Sequence, residues 1–251
     1  MAVPSMHVLA GKQPAGGGGA WTPASLTGIA HWYDASVAGD FTLVSTTHVS
    51  QWNDKVGGKH LTCGTDADRP LYDTTVNGLN VVRWVSNDYL ENTSMALNGT
   101  AITIFAALYL SAGSDNNNGR IVSMATSTGG ADWSSTAAGA LMTNVGGTSF
   151  DLGSYRNGQK STKTSTGWGT MRSAESKFDG TNHTSSIDGS AGTPVGSTGT
   201  FAGTHLRLGL HTAGGSQIIG VIGELAIVLG ASSSTDEADW LSYCQSKWGT
   251  P

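Results

Sequence analysis

Residues 206–249 read LRLGLHTAGGSQIIGVIGELAIVLGASSSTDEADWLSYCQSKWG, and this stretch changes character once. Its first part is β-type. HLRLGLH, from His205 to His211, runs into a Gly214–Gly215 turn signal and then into the apolar stretch IIGVIGELAIVLG. Its second part is helical. Ser234 stands three residues before Glu237, a capping-box pattern, and Trp240, Leu241, Cys244 and Trp248 recur at helical spacing. Lys247 falls in the last turn and Gly249 follows as a stop. The spacing predicts a single helix from about Ser234 to Trp248, packed on a sheet.

Upstream, every segment reads as strand and turn. AITIFAALYL, from Ala101 to Leu110, is nearly all apolar, as expected of a strand buried on both faces. LNVVRWV, from Leu79 to Val85, alternates like a half-buried strand. RIVSMAT follows the Asp115–Gly119 turn, and ALMTNV pairs with FDLGSYRNG through Gly146–Gly147. TMRSAESKF turns at Asp179–Gly180 into HTSSIDG. Roughly twelve strands are expected at the spacing of sandwiches and barrels.

Composition agrees. Charged residues are 12% of the 251, Gly, Ser and Thr together exceed a third, and there are four Glu, which excludes a helical bundle or coiled coil. The 13 Lys and Arg are scattered and the formal charge is −5, so no basic footprint for nucleic acid is present. The longest apolar runs are about half of the roughly 20 residues that a membrane span needs. MAVPSMHVLAG has no basic region and too short an apolar run to be expected as a signal peptide. Cys63 and Cys244 make no disulfide framework. Cys244 lies on the apolar helix face, so a buried free thiol is expected.

Four segments together resemble a known family: WTPASLTGIAHWYDAS (Trp21–Ser36), the W-x-D to NDYLE region (Val49–Glu91), KFDGTNHTSSIDG (Lys177–Gly189), and the closing strand with Glu224 followed by a helix ending Lys-Trp-Gly. They are similar to the concanavalin A-like lectin/glucanase superfamily in its laminin-G-like, jelly-roll form. The resemblance spans about residues 21 to 250. It implies an all-β sandwich of two antiparallel sheets with one C-terminal helix, residues 21–251, preceded by an N-terminal arm and Gly-rich hinge, residues 1–20. Chains of this kind are frequent among tailed-phage virion proteins.

The resemblance also frames the chemistry. Glucanases of this superfamily use two carboxylates about 5–5.5 Å apart, which on a strand means a pattern such as Glu-x-Asp-x-Glu. None is present: Glu91, Glu175, Glu224 and Glu237 are isolated in sequence. No catalytic residue is therefore assigned, and a non-enzymatic chain is expected. Some members hold Ca2+ at the sandwich rim. Asp115 and Asn117, in an oxygen-rich run, are the residues that would hold it here, with a polar hairpin loop as the alternative. No His pair has zinc spacing and no GxSxG elbow exists.

Sugar sites often pair an exposed aromatic face with polar groups. Trp133 in GGADWSST and Trp168 in STGWGT sit in Gly/Ser-rich loops, and are either such faces or plugs of the sandwich end. Residues 1 to 20 are either a flexible leader or an assembly arm anchored by Met6, Val8 and Leu9, with Gly16–Gly19 as its hinge. The expected function is a virion structural protein, capsid-decorating or tail-associated, docked on other virion proteins or on further copies of the chain and displaying a sandwich open to glycans. The alternatives are a free, extracellular carbohydrate-binding lectin or adhesin and, third, a glycoside hydrolase.

Overall fold

The computed structural model describes residues 20–111, 117–146, 149–164 and 169–251. The chain forms an all-β sandwich of two antiparallel layers with one C-terminal helix. Arm residues 1–19 lie outside the described residues, as do Asp115 and Trp168.

The strand Ile102–Leu110 is central to the back layer. It pairs with Arg172–Phe178 on one side and Gly220–Val228 on the other. Asn182–Ile187 and Ile29–Asp34 extend the layer outward. The front layer runs Gln159–Thr164, Ser149–Arg156, Gly139–Gly146, Asn117–Ala125, His205–Leu208, Leu90–Asn92, Leu61–Thr62 and His48–Trp52. Leu71–Val76 meets His48 on the front edge and Leu79–Trp84 on the back edge. The hydrogen-bonded network therefore wraps around one side and is nearly closed, which hides strand edges. The strands number twenty among the described residues, because several two- and three-residue pairings join the longer runs that periodicity reveals.

Alternation explains the apolar central strand. Ile102, Ile104, Ala106, Leu108 and Leu110 face the core between the layers. Phe105 and Ala107 face the other way, under Trp240, Cys244 and Trp248 of the helix. A strand covered on both faces has no polar side to display.

The helix runs Ser234–Trp248, with Gly249 in the left-handed conformation at its end. Its capping box lies one residue earlier than expected. Ser233 accepts from the Asp236 N–H at 3.1 Å, and the Asp236 carboxylate accepts from the Ser233 N–H at 3.3 Å. The run Ser-Ser-Ser-Thr-Asp-Glu offers two overlapping registers, and the one that frees Glu237 to reach Lys177 and Ser232 is adopted. Cys63 and Cys244 are both buried and free, one in the core between the layers and the other beneath the helix.

Candidate functional site

The outer face of the front layer carries a pocket of about 580 Å3. Its floor comes from paired strands. Met142 lies opposite Arg120, and Tyr155 opposite both Ala140 and Lys160. Ala140, Met142 and Tyr155 form a small buried cluster apart from the main core, whose Leu141 and Leu152 point inward from the same strands. Tyr155 lies flat along its strand because residue 153 is glycine; a Cβ there would come within 2.1 Å of the ring.

The rim is the loop between Asn117–Ala125 and Gly139–Gly146. Asp132, fully buried, is its anchor. The carboxylate accepts from Arg120 Nε at 2.9 Å, Arg120 Nη2 at 3.0 Å and Ser123 Oγ at 2.7 Å, and His211 Nε2 lies 3.1 Å away. Burial opposes its charge, but hydrogen bonds from His211 and Arg120 outweigh that and hold the carboxyl at a pKa of about 2. The next residue is Trp133. Its carbonyl accepts from the Gly158 N–H at 2.7 Å, which clips the loop to the hairpin that carries Tyr155 and Lys160. So held, the Trp133 side chain stays 45% exposed, more than any other aromatic whose burial is described. Asn118, Gln159, Lys160, His211 and Ser216 complete the wall.

The other acidic residues answer the question of a catalytic pair. Glu224, fully buried, accepts from Trp32 Nε1 at 2.7 Å, Trp248 Nε1 at 2.7 Å, Tyr243 Oη at 2.8 Å and Lys247 Nζ at 3.0 Å. Lys247 also reaches Asp34 at 2.8 Å. The two segments that carry the family resemblance at the chain ends thus meet at one carboxylate, in a structural knot under the helix. Glu91 is held by His205 Nε2 at 2.7 Å and Arg207 Nε at 2.8 Å.

Glu175 and Glu237, 62 positions apart in the sequence, come together. Ser232 Oγ lies 3.1 Å from Glu175 Oε1 and 2.8 Å from Glu237 Oε1, beside a cavity of about 240 Å3 between the helix start and the back layer. Burial first, and the Glu237 charge second, push the Glu175 carboxyl up to about 7. Neither residue is legible as a pair in sequence, because one sits on a strand and the other on the helix.

Of the sequence-predicted site residues, Trp133 stands at the pocket rim. Asn117 opens the strand Asn117–Ala125, while Trp168, Asp115, Met6, Val8 and Leu9 lie outside the described residues. Among the described residues no three His, Cys, Asp or Glu side chains converge as a metal site. Tyr155 and Arg120 escaped sequence reading. The Tyr-x-Asn-Gly spacing marked the hairpin, but nothing local marked the face on which the ring falls. No helix among the described residues is long and apolar enough to cross a membrane.

No protein-family model matches the chain, and no curated protein matches it in sequence. Solved structures do. An arabinofuranosidase complexed with arabinofuranosyl-α-1,2-xylobiose aligns at TM-score 0.56 and 15% identity, over 78% of this chain and 51% of that one. A Trypanosoma rangeli sialidase aligns at TM-score 0.54 and 10% identity, over 93% and 35%. The botulinum neurotoxin type G receptor binding domain aligns at TM-score 0.54 and 11% identity, over 90% and 54%. The chain spans about half the length of these structures or less. At these identities the likeness establishes the fold alone, an all-β sandwich.

The expectation of a non-enzymatic chain is corrected here. Structures sharing this fold include an arabinofuranosidase and a sialidase, and Glu175 and Glu237, isolated in sequence, are brought together at Ser232 by the fold. Isolation in sequence excluded only a pair on a single strand.

Proposed function

We propose that this chain is a carbohydrate-binding jelly-roll sandwich of the laminin-G-like kind, and that its saccharide site is the pocket between Trp133 and Tyr155. The observation that carries the reading is the exposed Trp133 ring, fixed by the Asp132 anchor beside a wall of hydrogen-bonding side chains. Sugar C–H faces stack on such a ring while hydroxyls find the polar wall. One of the neighbouring structures named above, matched over 51% of its chain, is a saccharide complex.

A glycan array followed by calorimetry on the selected saccharide tests this. Trp133→Ala is expected to weaken binding about tenfold, the scale of one lost stacking contact, with the melting temperature unchanged, since the ring supports no core packing. Absence of binding to any saccharide, or an unaltered affinity in the variant, would overturn the proposal.

Display on a virion is the finer part of the reading, and it rests on the composition of residues 1 to 20. The main apolar side chains, Val3, Met6, Val8 and Leu9, would return about 1.5–3 kcal/mol each on burial. Ordering some 20 residues costs about 1–2 kcal/mol each, so such an arm orders only against another surface. Deleting residues 1–12 is expected to leave a folded sandwich that no longer joins its assembly. Normal incorporation of the truncated chain would count against the docking arm.

A further inference from the structure

The pocket wall has a charge character that a neutral sugar does not call for. Its titratable members are Arg120, Tyr155, Lys160 and His211, with no carboxylate among them. The nearest, Asp132, is fully buried and engaged by Arg120, Ser123 and His211. His211 is committed too: Nδ1 accepts from the Ala213 N–H at 3.0 Å, which leaves Nε2 to donate to Asp132. Asp151 lies four residues back along the Tyr155 strand, outside the wall.

Two groups remain with donors to offer. Arg120 places Nε and Nη2 on Asp132 and Nη1 on the Asn118 carbonyl, which uses about three of the five N–H groups of a guanidinium. Tyr155 is 6% exposed, and its hydroxyl is buried without any hydrogen-bond partner. A buried hydroxyl left unpaired is destabilising, and it stands ready to donate to a group that enters the pocket. Burial pushes the phenol up to about 12, so it is a proton donor at neutral pH. Lys160, directly across the strand pair from Tyr155, stands exposed at the mouth.

Building on the saccharide reading, we propose that the pocket takes an acidic saccharide, with its carboxylate or sulfate accepting from the Tyr155 hydroxyl and the Arg120 guanidinium and facing Lys160. An oxyanion would take the Tyr155 hydroxyl and the N–H groups of Arg120 that Asp132 and Asn118 leave free, and charge-assisted hydrogen bonds are about twice as strong as neutral ones.

Calorimetry with three probes tests it: trigalacturonate, a sulfated heparin tetrasaccharide and neutral galactotriose. One acidic probe is expected to bind at least about tenfold more tightly than the neutral one, with affinity falling between about 50 and 500 mM NaCl. Which acidic probe binds tells carboxylate from sulfate. Tyr155→Phe is expected to lose about tenfold in affinity for that probe while melting at the same temperature as the parent or higher, since the lost hydroxyl has no protein partner. Galactotriose binding as tightly as the acidic probes overturns this inference and leaves the saccharide reading standing. Failure of all three probes, with saccharides of an array also unbound, overturns both. Unchanged affinity in Tyr155→Phe removes the hydroxyl from its role and overturns the geometry proposed.

Discussion

Glu224→Ala is expected to destabilise the sandwich by about 3–5 kcal/mol, the cost of removing one partner from a buried ion pair. Against the usual stability of about 5–15 kcal/mol for a domain, that leaves a marginal protein. Glu224 gathers four donors from two distant segments: Trp32 near the N-terminus, and Tyr243, Lys247 and Trp248 on the helix. Without the carboxylate two indole N–H groups stay buried and unpaired, and Lys247 keeps only Asp34 and the Tyr243 hydroxyl. Glu224→Gln should cost less, about 1–3 kcal/mol, because one oxygen survives while the new amide faces donors. Urea unfolding at neutral pH measures both. A loss under about 1 kcal/mol in the alanine variant would show that the knot is not what fastens the helix to the sheet.

Glu175→Gln is expected to act in the opposite direction, stabilising the protein at pH 8. The native carboxyl titrates at about 7 against a usual value of 4.5. Burial is the main cause and the neighbouring Glu237 the second, partly offset by Lys177. Between those two pH values the folded chain holds a proton that the unfolded chain has lost. The contribution is therefore fully present below about pH 4.5 and disappears as pH rises through about 7, for a total of about 3 kcal/mol. Glutamine has no charge to bury, and its amide can keep the contact with Ser232. The variant should gain about 2–3 kcal/mol at pH 8 and lose the decline between pH 5 and 7. Chemical denaturation across that range checks it. Equal pH slopes for parent and variant would mean that Glu175 is not the group responsible.

Both predictions concern acidic residues that stand isolated in the sequence. Glu237 was read as the partner of Ser234 in a capping box. In the fold that work falls to Asp236 with Ser233, and Glu237 turns instead to Lys177 and Ser232. A run of consecutive Ser, Thr and acidic residues supports either cap locally at similar cost, so the choice passes to contacts outside the helix. Glu224 was legible as part of a closing strand, yet its direction was not. The pairing with Ile102–Leu110 shifts by one residue between Ile222 and Glu224. That bulge falls at Gly223, where a Cβ would press within 2.9 Å of the Trp248 ring, and it turns Glu224 toward the helix.

Local periodicity carried what depends on neighbours in the chain. An apolar run with strand residues and no polar side meant a strand covered on both faces. Tryptophans at helical spacing after a capping sequence meant one helix lying on that sheet, and turn residues at close intervals meant an antiparallel sandwich. Those signals persist because burial acts on each segment separately. The sites answer to distances the chain does not record. Trp32 meets Glu224 across 192 positions, and Glu175 meets Ser232 across 57. Tyr155 becomes a buried floor because a loop anchored at Asp132 closes over its strand. In an antiparallel sheet a one-residue shift moves a side chain to the opposite face. Register and bulges, set by packing over the whole fold, therefore decided which acids pair and which donors are left to a ligand.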